Sequence, residues 1–340
     1  MWNFSNKASL NLASPHIARL KEGADVEIMD SYRFWLAAVP PFRLDLTVWA
    51  LRRRPENAID RWDGETYRRV LPLAGGAVEL ATRQTGPAER ARIEVRVHGP
   101  GACASTKSAV TATLERLLGL RINLANFYRF ASSQRRLDQL AAKFRGMKPP
   151  RFPTVFETLV NAIACQQVTL SLGIQLLNKL AARYALSLDD GSSIAFPCPA
   201  DLADRRLEDF RRLGFSRQKG RAMIELARSI ASGQADLEAL AGEDDEAAVA
   251  QLQTHRGIGR WSAEYALLRG LGRTHVFPGD DVGARNRLQH LLKLPQKLDD
   301  AAVARRLRRW RPYAGLVYFH MLLDGLADAG RLEELAGAAR

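Results

Sequence analysis

Cysteine is scarce in this chain. There are three in 340 residues, Cys103, Cys165 and Cys198, far apart and odd in number. That argues against a disulfide framework and for a reducing compartment, so a cytoplasmic setting is the expectation. Three scattered thiols also cannot supply the four ligands of an iron–sulfur cluster. His275, His290 and His320 lack the spacing of a zinc site. No stretch reaches the roughly 18 apolar residues of a membrane span. The first 20 residues have no apolar core behind a basic head, so no secretory signal is read there. Fixed-period repeats and low-complexity segments are absent too. Acidic residues are in deficit: 37 Asp and Glu face 50 Lys and Arg, a net charge of +13. Such a balance favours a polyanionic partner, nucleic acid first and an anionic membrane surface second.

A chain of this length holds two or three domains at roughly 100–200 residues each. Residues 1–30 are mixed and polar and are set apart as an extension. Residues 31–125 read as a sheet plus one helix. Phe42, Leu44, Leu46, Val48 and Ala50 alternate with Arg43, Asp45, Thr47 and Trp49, a period of two that predicts a strand. Tyr67–Leu73 follows a turn at Asp63-Gly64 as a second strand. Val78 and Leu80 follow Gly75-Gly76, and Ile93, Val95 and Val97 alternate up to Gly99-Pro100-Gly101, which predicts antiparallel neighbours joined by turns. Val110, Leu114, Leu117 and Leu118 share one face of a helix predicted over 105–118. Residues 148–153, Lys-Pro-Pro-Arg-Phe-Pro, read as a stiff linker. Thr154, with Glu157 three residues on, has the form of a capping box. Residues 126–340 then have helical period almost throughout, with helices predicted at 170–184, 207–213, 216–231 and 246–252. The expected class is mainly α with an α+β N-terminal domain.

The most informative stretch is Gln253-Thr254-His255-Arg256-Gly257-Ile258-Gly259-Arg260-Trp261. One helix ends, a turn holds two glycines, and another helix begins. Free N–H groups at a helix N-terminus attract phosphate, and glycine lets a ligand approach the main chain. Arg256 and Arg260 add fixed positive charge, and Ile258 is placed to anchor the turn in the core. A lone G-x-G is also compatible with an ordinary glycine-capped helix connection. Further on, Phe277-Pro278-Gly279-Asp280-Asp281-Val282 leads into another helix, with Asp281 lying 22 residues after Gly259. Aspartate is a good N-cap, so Asp281 has a structural reading beside any chemical one.

Together these two stretches resemble the helix–hairpin–helix superfamily of base-excision DNA glycosylases, and within it the 3-methyladenine DNA glycosylase II branch, over residues 31–325. The resemblance implies a fold of two helical subdomains plus an antiparallel-sheet domain, with the hairpin at about 246–270 and the aspartate loop at 276–287. It makes Asp281 the catalytic carboxylate, an anion that stabilises the oxocarbenium charge developing on deoxyribose and orients water. Asp280 would cap or support it. Bifunctional relatives carry a lysine two residues after the second glycine; Trp261 stands here, which implies a glycosylase without lyase activity. Trp261, Tyr265 and Tyr313 would line the base pocket and attract a cationic methylated base. As packing, the same rings would be core. Gln167, in a loop after the first helix, aligns with the side chain that fills the duplex gap, although the branch has leucine there. Arg256, Gly257, Gly259, Arg260 and Lys219 would touch DNA. Main-chain carbonyls of Gln253, His255 and Ile258 would hold one structural Na+ or K+; no other cofactor is implied. The expected partner is duplex DNA bearing damaged bases, met by a monomer in the cytoplasm (at the nucleoid if the source is bacterial) and not at a membrane. An oxidised-purine glycosylase of the 8-oxoguanine type and a non-catalytic DNA-binding protein remain as alternatives. The basic run Arg305-Arg306-Leu307-Arg308-Arg309 reads as a solvated helix face or a phosphate contact.

Overall fold

The computed structural model describes residues 31–73, 75–188 and 193–332; the extension set apart at 1–30 lies outside them. Five strands form one antiparallel sheet: β1 (Ser31–Ala37), β2 (Arg61–Trp62), β3 (Thr66–Leu73), β4 (Gly76–Thr85) and β5 (Arg92–His98), in the order β1-β5-β4-β3-β2. Alternation puts Phe34, Tyr67, Val78, Leu80, Ile93, Val95 and Val97 on the buried side, with Leu80 opposite Val97. The helix Lys107–Leu118 lays Val110, Leu114, Leu117 and Leu118 against this core. The predicted strands at 67–73, 76–80 and 93–97 are therefore present, and the predicted helix begins two residues late.

The segment at 42–50 is not a strand. Leu44–Arg52 is a helix with nearly every side chain buried. It lies between two layers: Leu44, Val48 and Leu51 join the sheet core, while Leu46, Trp49 and Ala50 join a core of C-terminal helices. A helix covered on both sides needs no polar stripe. The polar residues that gave a period of two serve its N-terminus instead. Arg43 is the N-cap residue and its Nε bonds Asp45 at 3.0 Å, and Thr47 Oγ1 donates back to the Arg43 carbonyl at 2.8 Å.

Residues 148–153 are a packed strap rather than a spacer. The Lys148 ammonium donates to the Ile122 carbonyl at 2.6 Å and Arg151 Nη2 to the Gly270 carbonyl at 2.8 Å. The Phe152 N–H donates to Arg269 O at 2.8 Å. Proline-rich backbone cannot bond itself, so its neighbours supply the partners.

Val155–Cys165 is the central helix of the next layer. Thr154 accepts the Glu157 N–H at 3.0 Å, as the sequence predicts. The reciprocal half of the box is replaced: the Glu157 carboxylate accepts from Arg69 of β3 at 2.6 Å, and Arg69 also reaches Asp60 at 2.7 Å. Around this helix, Leu170–Tyr184, Leu207–Leu213, Arg217–Ala231, Asp245–Gln253 and Arg260–Arg269 form one helical core. Val282–Leu292, Asp300–Arg308 and Ala314–Asp328 build a second core with Ala125–Ser132, Arg135–Lys143 and the Leu44–Arg52 helix. No helix among the described residues is long and apolar enough to cross a membrane.

Candidate active site

Where the two helical cores meet, a cleft of about 1280 Å³ opens. Trp261 and Tyr265 form one wall, Asp281 and the start of its helix another, and the 166–169 loop with the helix ends beside it a third. Arg53, Tyr318 and Met321 complete it.

Asp281 is the N-cap of Val282–Leu292. Its Oδ1 accepts the Ala284 N–H at 2.8 Å and its Oδ2 accepts the Tyr318 hydroxyl at 3.1 Å. Both readings of this residue thus coexist. The helix N-terminus favours the ionised carboxylate, and two donors hold the carboxylate still beside the cleft. Tyr318 is buried, and both that burial and the neighbouring Asp281 push its phenol well above the usual range. It therefore remains a protonated donor. Asp280 does not cap; it pairs with Arg285 Nη2 at 2.8 Å.

Trp261 and Tyr265 sit one helical turn apart with ring centroids 5.4 Å apart and planes tilted 31°. Both line the cleft, as expected. Tyr313 does not. It packs against Phe130 and Phe127 at centroid distances of 5.2 and 5.8 Å, as the residue leading into Ala314–Asp328. The aromatic that reaches the cleft from this helix is Tyr318, one turn and a half further along. The Trp261 Nε1 is buried and has no hydrogen-bond partner among the described residues.

The hairpin lies next to this wall. Ile258 is 5% exposed in the core, anchoring the turn. Gly257 has φ +78°, and a Cβ there would meet the Ala222 Cβ at 2.9 Å, so both conformation and contact require glycine. Gly259 is different. Its φ is −89°, no side chain caps the helix Arg260–Arg269 behind it, and a Cβ would meet nothing within 4 Å. It leaves open the N-terminus of a helix that no side chain caps. Arg256 bonds Glu225 at 2.8 Å, and Arg260 bonds Glu264 at 2.9 Å; both arginines stay mostly exposed. Glu264 also accepts the Gly279 N–H at 2.9 Å, which ties the hairpin helix to the aspartate loop. The His255 carbonyl accepts the Ile258 N–H at 3.2 Å.

Lys219, expected to touch DNA, has its ammonium turned to main chain. Its ammonium donates to the carbonyls of Ala164 at 2.9 Å and Gln166 at 2.7 Å, and burial pulls its pKa down. It satisfies orphan carbonyls at the end of Val155–Cys165, the ordinary use of a cation at a helix C-terminus. Gln166 in turn donates to the Gly257 carbonyl at 2.8 Å and to Ser262 Oγ at 2.9 Å. Gln167 is exposed at the cleft's edge with φ +53°. A glutamine in the left-handed region is strained by roughly 1–3 kcal/mol.

Three contributors escaped the sequence reading: Arg53, Tyr318 and Glu264. Tyr318 has a weak signal, an aromatic on the helix after Tyr313. Arg53 has none, since it is the middle of an Arg52-Arg53-Arg54 run that resembles any basic helix end.

A family model described as "HhH-GPD superfamily base excision DNA repair protein" matches residues 160–312. DNA-3-methyladenine glycosylase 2 of Escherichia coli is 32% identical over 186 residues, which is 54% of this chain and 63% of that protein. DNA-3-methyladenine glycosylase 1 of Schizosaccharomyces pombe is 30% identical over 166 residues, 48% of this chain and 68% of that protein. Among solved structures, a 3-methyladenine DNA-glycosylase from Archaeoglobus fulgidus superimposes with a TM-score of 0.73 at 27% identity, covering 86% of this chain and 97% of that one.

Proposed function

Since the chain belongs to the HhH-GPD superfamily of base excision DNA repair proteins, we propose that it is a monofunctional DNA glycosylase that flips an altered purine out of duplex DNA and hydrolyses its N-glycosidic bond. The observation that carries the reading is the Asp281 carboxylate, held at the cleft by the Ala284 N–H and the Tyr318 hydroxyl. The names of these three relatives, each a 3-methyladenine DNA glycosylase, favour an alkylated purine over 8-oxoguanine.

The residues divide the reaction as follows. The uncapped N-terminus at Gly259, with Arg256 and Arg260 beside it, takes phosphate. The flipped base enters between Trp261, Tyr265 and the aspartate loop, a pocket that excludes water from its faces. As the bond from C1′ to the base nitrogen breaks, its electron pair leaves with the base and C1′ becomes positive. Asp281 stabilises that charge across the cleft and accepts a proton from the water that adds to C1′. Trp261 occupies the position of the lyase lysine, so no Schiff base forms there and the abasic strand stays intact. Gln167, on its strained loop at the rim, enters the gap in the duplex.

The hairpin's main-chain carbonyls at Gln253, His255 and Ile258 would hold a monovalent cation. They are neutral oxygen donors at an exposed turn beside a helix N-terminus, the kind of donor that suits Na+ or K+. Bound there, the ion adds a positive bridge to phosphate. No bond-breaking step depends on it.

The reading is tested with duplexes carrying one 3-methyladenine, hypoxanthine, 1,N6-ethenoadenine or 8-oxoguanine. Strand cutting is expected only after alkali, from alkylated or deaminated purines. Cutting without alkali would contradict the monofunctional assignment. Release of 8-oxoguanine alone would favour the oxidised-purine alternative, and binding without release would favour a non-catalytic one.

A further inference from the structure

The floor of the cleft carries positive charge that a pocket for cationic bases does not need. Arg53 follows the Leu44–Arg52 helix in a left-handed conformation, φ +63°, and is 5% exposed. Its Nη1 donates to the Tyr265 hydroxyl at 3.0 Å and its Nη2 to Asn161 Oδ1 at 2.8 Å. Beneath the same tyrosine lies Arg269, fully buried, with its guanidinium carbon 5.6 Å from the Tyr265 ring centroid. Arg269 Nη2 bonds only main-chain carbonyls, Ala50 at 2.9 Å and Leu51 at 3.2 Å. Among the described residues neither guanidinium forms an ion pair, and Arg53 Nε is buried without a partner. The nearby buried acids, Asp60 and Glu157, are paired with Arg69.

Two consequences follow for whatever base lies against Tyr265. The ring that would attract a cation is already shared with Arg269, and the guanidiniums of Arg53 and Arg269, neither held in a direct ion pair, oppose a second cation placed against that ring. The phenol oxygen, meanwhile, accepts from Arg53, so its own O–H is left to donate elsewhere. We infer that Arg53 is a specificity-determining residue: with Arg269 it disfavours a positively charged alkylpurine and turns the Tyr265 hydroxyl into a donor for an acceptor atom on a neutral purine, such as hypoxanthine or 1,N6-ethenoadenine. This deepens the glycosylase reading and rests on it. A neutral base leaves less readily than a cationic one, and a donor aimed at it offsets part of that difference.

The test compares single-turnover release of hypoxanthine and of 7-methylguanine from otherwise identical duplexes. The wild type and the Arg53→Gln, Arg53→Lys and Tyr265→Phe variants are used as full chains, with thermal melting as a folding control. For Arg53→Gln the ratio of hypoxanthine to 7-methylguanine release falls by about tenfold or more. Tyr265→Phe lowers hypoxanthine release more than 7-methylguanine release. Arg53→Lys keeps the charge but loses the two-armed geometry, so its ratio lies between those of wild type and Arg53→Gln. Should Arg53→Gln fail to fold, the other two variants decide the matter. A parallel fall in both rates, with the ratio unchanged, would show a merely structural arginine and overturn the inference while leaving the glycosylase reading intact. A wild type that releases neither base overturns both.

Discussion

At the scale of single residues, burial sets the ionisation of two groups on the Ala314–Asp328 helix, Tyr318 and His320. Asp281 is held by a protonated phenol and a main-chain N–H. His320 is the buried counterpart on the Tyr318 helix. Its Nδ1 lies 2.8 Å from the Leu316 carbonyl, which can only accept, so Nδ1 carries the proton of a neutral ring. Burial pulls its pKa down to about 4. A base depressed in the folded state binds fewer protons there than in the unfolded chain, so stability falls with pH once the unfolded imidazole begins to protonate. The loss runs from about pH 6.5 down to about pH 4 and amounts to about 3 kcal/mol. Urea titrations across that window should show it in the wild type and not in His320→Leu; identical profiles would contradict the assignment. Residue identity was legible in the sequence where a motif surrounds it, as for Asp281 and Trp261. It failed for Tyr313 because an aromatic pattern gives no direction: Tyr313 turns into the Phe127 and Phe130 cluster. The carbonyls that the Lys219 ammonium meets were not legible either, since they belong to a helix end more than 50 residues earlier in the chain.

At the scale of elements, the hairpin shows two glycines with opposite reasons. Gly257 fills a tight left-handed turn against Ala222, whereas Gly259 leaves a helix end open. Gly259→Asp should separate the two properties. The backbone at φ −89° and ψ −178° accepts aspartate, which caps helices well. Stability should hold or rise by roughly a few tenths of a kcal/mol, while affinity for duplex DNA falls because a carboxylate occupies the phosphate's place. Unchanged affinity in a filter-binding or anisotropy titration would remove phosphate from the hairpin. Helices whose apolar stripe faces one core were legible to within a residue or two, as at Leu170–Tyr184 and Leu207–Leu213. Leu44–Arg52 was not, because it is packed on both sides and its polar residues serve its own first turn. A helix without a solvent face carries no helical period to read.

At the scale of the whole molecule, the sheet and the helical layers are joined by buried charge as well as by apolar packing. Arg69 on β3 is 1% exposed and holds Asp60 at 2.7 Å and Glu157 at 2.6 Å, and Tyr67 donates to Asp60 at 2.8 Å. Removing the arginine leaves two carboxylates buried without a counter-charge, one of which, Glu157, burial already pushes up to about 7. Arg69→Met should cost about 3–5 kcal/mol in denaturant unfolding, and a cost under about 1 kcal/mol would mean that the network contributes little. This joint was only half legible: Thr154 and Glu157 announced a helix start, and the start is there, but the glutamate's partner comes from 88 residues earlier in the chain. The net charge of +13 belongs to this scale too. Affinity for duplex DNA should fall steeply as salt rises, since phosphate contacts release counterions.

The central claim is that Asp281 acts on the sugar and does not merely cap a helix. Asn caps helices about as well as Asp, so Asp281→Asn keeps the fold and removes only the charge. The most direct measurement is single-turnover release of the base from a lesion-bearing duplex by wild type and Asp281→Asn, alongside their melting temperatures and duplex affinities. The expected result is a loss of about 10²–10³ in the release rate with melting and affinity unchanged. Equal rates in the two proteins would leave Asp281 a capping residue and contradict the account.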